Sequence, residues 1–144
     1  MSNNTFQNKE FKDNLQRYEA ALNTGKPVYL DPDELTDIAE YYHLHGQLNK
    51  ALAAIDQAIL MFPGATQPLA FRARVAILLE DNVQTALQYA EQIEDKADLD
   101  YFYIMAEIMI ASGNDEQANR YLKEKSTLTI FTSMWLFSLP ITTI

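Results

Sequence analysis

Residues 31–63 read DPDELTDIAEYYHLHGQLNKALAAIDQAILMFP, and this stretch decides the fold. Asp31 carries a side chain that can accept bonds from the orphan amides of a helix start, Pro32 suits the first helical position, and Glu34 can reach back to close a capping box. Behind that start Leu35, Ile38, Ala39 and Tyr42 recur on one helical face. His45-Gly46-Gln47 interrupts the pattern, and a second stripe of Ala51, Ile55 and Ala58 runs to Pro63-Gly64. Two amphipathic helices joined by so short a break predict a helical hairpin.

Working outward, Phe11, Leu15, Tyr18 and Leu22 predict a helix over about 5–23 that ends at Asn23, Thr24 and Gly25 and cannot pass Pro27. Further breaks fall at Pro63-Gly64-Ala65, at Glu80-Asp81-Asn82, between Asp95 and Asp98, and at Ser112-Gly113-Asn114-Asp115. No stretch before residue 126 alternates with a period of two, so the predicted fold class is all-α.

Self-similarity is the strongest signal. Leu35, Ile38, Ala39, Tyr42, Gly46, Ala51, Ile55 and Ala58 stand against Phe102, Met105, Ala106, Met109, Gly113, Ala118, Leu122 and Lys125, every pair 67 residues apart, and all but the last keep their character. Ala39 and Ala106 are small enough to let a first helix approach its neighbour, Ala51 and Ala118 do the same for a second helix, and Gly46 and Gly113 suit a left-handed turn. Between them Ala73 stands 34 residues after Ala39 and 33 before Ala106, flanked by Leu69 and Ala76 and followed by Ala86, Ala90 and Ile93. Its turn holds one extra residue and no glycine. A shifted register would put Arg74 at the crowded small position, which is sterically worse.

A spacing of 67 is two units of about 34 residues. Residues 35–63 read L-x-x-I-A-x-x-Y, A-x-x-x-I, P, which resembles the tetratricopeptide repeat pattern W-x-x-L-G-x-x-Y, A-x-x-x-F, P. The run YLDPDELTDIAEYYHLHGQ, with RARV and EQANRYL after it, is similar to small cytoplasmic tetratricopeptide-repeat proteins of bacteria. The resemblance covers about 32–125 and implies a right-handed superhelical stack of antiparallel helical hairpins, with repeats at about 32–65, 66–98 and 99–125. The helix over 5–23 then serves as a cap or preceding half-repeat, giving one helical-repeat domain over 1–125. The segment 126–144 is an uncharged apolar tail.

The 144 residues suffice for one domain, and 48% hydrophobic content supplies a core without staples. With no Cys, a disulfide scaffold, thiol catalysis and a zinc ribbon are excluded. A formal charge of −9 disfavours nucleic acid, whose phosphates demand clustered Lys and Arg; basic or apolar peptides are the expected company. Much of that charge lies in residues 27–65, where one Lys faces six acids. The N-terminal MSNNTFQNKEFKDN lacks the pattern of a secretory signal, so a cytoplasmic location is expected.

In the architecture that the resemblance implies, first helices line a concave groove, and its face would carry Asp37, Glu40, Phe71, Arg74, Leu78, Tyr103, Ile104 and Glu107. Such a groove has an acidic first wall and an apolar floor, and implies a non-catalytic scaffold that binds a peptide or protein segment. Glu40, Arg74 and Glu107 occupy equivalent places and predict a ladder of acid, base and acid; a polar grip on a ligand backbone is the alternative. Phe71 and Tyr103 are candidates for packing and for binding alike. Some tetratricopeptide-repeat proteins clamp a C-terminal carboxylate with Lys, Arg and Asn. Here Arg74 alone has the right charge, so the clamp is not carried over.

No catalytic residues, cofactor or metal site are expected. His43 and His45 are two apart on a helix and diverge by about 200°. Asp33, Asp37 and Glu40 share a face but lack a loop of alternating oxygen ligands, and a solvated acidic helix start accounts for them. With 4 Gly the chain has no phosphate-binding loop.

The tail STLTIFTSMWLFSLPITTI holds no charge, the only Trp, and five Thr with three Ser, which makes it a poor membrane anchor. Leu128, Phe131, Met134, Trp135 and Leu139 can form a capping helix without the usual charged outer face. Two accounts stay open: a homodimer contact through Phe131, Trp135 and Phe137, or an abnormal end to a longer array. The first makes a self-associating assembly subunit the alternative function.

Overall fold

A computed structural model describes residues 3–125. Seven helices follow one another as α1 (Asn3–Gln7), α2 (Lys9–Thr24), α3 (Pro32–Leu44), α4 (Leu48–Met61), α5 (Thr66–Leu78), α6 (Val83–Glu91) and α7 (Leu99–Ala111). Residues 115–125 form a further helix, α8, and there is no strand among the described residues. The all-α expectation holds.

The capping box at α3 forms as its residues dictate. The Glu34 amide donates to Asp31 Oδ1 at 2.7 Å and the Asp31 amide donates to Glu34 Oε1 at 2.9 Å, with Pro32 in the first turn. The other Glu34 oxygen accepts from the buried Asn14 amide at 2.8 Å, which pins α2 to the start of α3. A buried amide with a charged acceptor is a strong, directional tie.

The single helix over 5–23 is instead two. Asn8 sits in extended backbone and its side chain accepts from the Glu10 amide at 2.7 Å, so a new N-cap interrupts the run. Phe11 and Tyr18 are buried as their spacing requires, but Leu22 is exposed and Asn14 takes a place in the interior.

Ala39, Ala73 and Ala106 are all buried, and α5 touches α3, α4, α6 and α7. One core cluster gathers side chains of α2, α3 and α4, a second those of α5, α6 and α7, and the partly buried Ile59 packs against both. Phe102 of α7 meets Tyr121 of α8 edge-on at 6.2 Å between ring centres.

Gly46 and Gly113 take left-handed backbone at φ 72° and 85°. The middle hairpin makes its turn without glycine: Asp81 itself adopts φ 48°. Side chains hold that less favourable turn. Arg72 donates to both Glu80 oxygens at 2.9 and 3.1 Å, and Asn82 accepts from the Thr85 amide at 3.0 Å to cap α6.

No helix among the described residues is long and apolar enough to cross a membrane. The expectations for the tail, including Phe131, Trp135 and Phe137, lie outside the described residues.

Candidate functional site

The first helices of the three hairpins, α3, α5 and α7, lie side by side with α5 in the middle. Between α3 and α5 opens a hollow of about 300 Å³ lined by Glu40, His43, Leu44, Phe71, Arg74, Val75, Leu78 and Leu79. Between α5 and α7 opens a second, of about 280 Å³, lined by Arg74, Ile77, Leu78, Glu107, Ile110 and Ala111. Arg74 and Leu78 border both.

The hollows lie toward the C-terminal ends of their helices, where the lining is apolar. Leu44, Leu78 and Leu79 are 63, 76 and 52% exposed, although each is a residue that folding ordinarily buries. Together these leucines make an exposed apolar rim around the depression. His43 closes one side, its ring edge-on to Phe71 at 6.3 Å.

Toward the N-terminal ends the same faces turn polar. Asp33, Asp37 and Glu40 stand at i, i+4 and i+7 along α3, in line with Leu44. Burial pushes the Asp37 carboxyl up to about 6, and the neighbouring Glu40, Asp33, Asp31 and Glu34 charges add to it. Asp33 is raised by burial and by Asp31, Asp98, Asp100 and Glu34, which shows that the start of α7 adds its own acids to this end. Glu40 is raised by burial, while nearby positive charges, Arg74 and His43 among them, pull it back. The favourable field of a helix start is therefore outweighed by desolvation and like charge.

The expected ladder is half formed. Arg74 donates through Nε to Glu107 Oε2 at 2.8 Å. A second rung runs parallel to it, with the Gln67 amide donating to Asp100 Oδ2. Both rungs join α5 to α7. On the other side Asp33, Asp37 and Glu40 accept no side-chain hydrogen bond and form no ion pair among the described residues.

Of the residues expected on this face, Glu40, Phe71, Arg74, Leu78 and Glu107 line the hollows. Asp37 is half-buried one turn before Glu40 and continues that wall, while Tyr103 is exposed on α7 and belongs to neither lining. Ile104 is a correction: it is fully buried in the second core cluster and is not a groove residue. Helix α7 is apolar on nearly every side, so its stripe does not reveal which face is covered, and position 104 falls against its neighbours. Val75 and Leu79 were not foreseen; their signal was the spacing of four and eight residues after Phe71, which continues its stripe along α5.

No three His, Asp or Glu side chains converge on a point that could hold a metal ion among the described residues. Compared with protein-family models, curated proteins and solved structures, the chain matches none.

Proposed function

We propose that the chain is a tetratricopeptide-like right-handed superhelical stack and a non-catalytic cytoplasmic scaffold, which binds a peptide or protein segment along the face shared by α3, α5 and α7. The observation that carries this reading is the grading of one continuous surface, from uncompensated carboxylates at the helix starts to exposed leucines around a hollow at the helix ends. Neither end is explained by stability. Exposed leucines gain nothing from solvent, and half-buried carboxylates that lose part of their hydration without a hydrogen-bond partner cost free energy. A surface of this kind fits a partner that is itself extended and amphipathic.

Affinity capture from an extract of the source cells tests it. The chain carrying Asp37→Lys, Glu40→Lys and Phe71→Ala should keep its helicity and lose the proteins that the unaltered chain retains, because none of the three residues is fully buried. Equal capture by the two would move the binding surface elsewhere.

A further inference from the structure

Among the described residues the acids of α3 form no ion pair, and the basic side chains of α4 to α7 are engaged elsewhere. Between residues 27 and 111 there are four, Lys50, Arg72, Arg74 and Lys96. Arg72 grips Glu80, and Arg74 grips Glu107. Lys50 lies over the Tyr42 ring at 5.5 Å, and Lys96 donates to the Glu91 carbonyl at 2.7 Å. Arg74 borders the hollow between α3 and α5 and still turns its guanidinium to α7. The wall of that hollow is thus left negative while its floor is left apolar.

A hollow of about 300 Å³ is at the small end of ligand-binding cavities, and suits one or two inserted side chains. An acidic segment would meet like charge along α3, and a purely apolar one would desolvate Glu40 further with nothing in return. We infer that the occupant is a peptide segment setting a Lys or Arg side chain against Asp37 and Glu40 and an apolar side chain into the hollow between Leu44, Phe71 and Leu78; this rests on the reading of the groove as a peptide site. The cation satisfies the wall that α5 leaves open. The apolar side chain covers the leucines that the fold leaves bare.

A displayed library of random short peptides, selected on the immobilised full chain, provides the test. Enriched peptides should pair Lys or Arg with a large apolar residue. One of them, synthesised with a fluorescent label, should bind the unaltered chain with an affinity that falls as salt rises. Asp37→Asn with Glu40→Gln, which keeps shape and removes charge, should weaken it about tenfold or more, and Leu78→Ser should weaken it comparably. Enriched peptides without a cation, or an affinity indifferent to salt and to the Asn and Gln changes, overturn the cationic occupant while sensitivity to Leu78→Ser leaves the peptide groove standing. If no enriched peptide responds to either variant, the groove reading falls as well. The same holds if light scattering finds a dimer that Leu78→Ser dissociates, since a second copy then fills the hollow.

Discussion

The two seams on either side of α5 present the same α5 side chains to equivalent acids, and only one seam closes. Toward α7, Gln67 meets Asp100 and Arg74 meets Glu107. Toward α3, Asp33 and Glu40 occupy the equivalent places with neither bond, and Asp37 between them is pushed up to about 6. One donor row cannot serve two acceptor rows at once. The seam to α7 is therefore a structural joint, and the seam to α3 retains charge that the fold does not use. Proteins commonly sacrifice local stability where a surface must later meet something else.

The largest expected effect separates the two seams by burial. Ile104 of α7 and Phe71 of α5 hold equivalent places in successive repeats, yet Ile104 is fully covered and Phe71 borders the open hollow. Ile104→Ala should lower unfolding free energy by about 2–5 kcal/mol, the usual range for emptying a core aliphatic site. Phe71→Ala should cost less, about 1–2 kcal/mol, since part of its ring is already in water. Denaturant titration of both variants measures the difference. Equal losses would mean that the hollow is closed in solution.

That contrast also marks how far the sequence is legible. The start of α3 is written locally, in Asp31, Pro32 and Glu34, and so are the breaks at Gly46 and Gly113. The register follows from small residues: Ala39, Ala73 and Ala106 recur at spacings of 34 and 33, and all three are buried. Features that depend on distant partners are invisible in this way. Asn14 looks like a solvent residue until Glu34, twenty residues away, is placed opposite it. In the site, Glu40 and Arg74 border the same hollow. Which of two acids Arg74 would choose depends on spacing between helices, and no pattern along the chain encodes that.

A middle-sized effect concerns the cost of the open seam. An unfolded Asp titrates near 3.9, whereas Asp37 in the fold titrates at about 6. Between those values the folded chain holds the proton more tightly, so this group's contribution to stability is complete below about 4 and is lost as pH rises through about 6. Asp37→Asn should therefore be more stable than the unaltered chain at pH 7, by about 1 kcal/mol once contact with solvent is allowed for. The gain should shrink toward pH 4. Melting curves at a series of pH values would show it, and a variant less stable at pH 7 would mean that a cation already neutralises the wall.

The smallest effect tests the choice made by Arg74 directly. Its pair with Glu107 is partly exposed, with side chains 36 and 44% accessible, so the coupling should be only about 0.2–1 kcal/mol. Glu107→Gln should thus change stability little, but it removes the reason for the guanidinium to face α7. Arg74 already draws the Glu40 carboxyl downward against its burial, which places the two within electrostatic reach. A double-mutant cycle between Arg74→Met and Glu40→Gln should then give a weak coupling in the unaltered chain and a stronger one in the Glu107→Gln background. The same released arginine should compete with a cationic peptide for Glu40, lowering its affinity without any change to the hollow itself. Strong coupling between Arg74 and Glu40 before Glu107 is altered would show that α5 serves both seams, and the acids of α3 would then have no vacancy for a partner to fill.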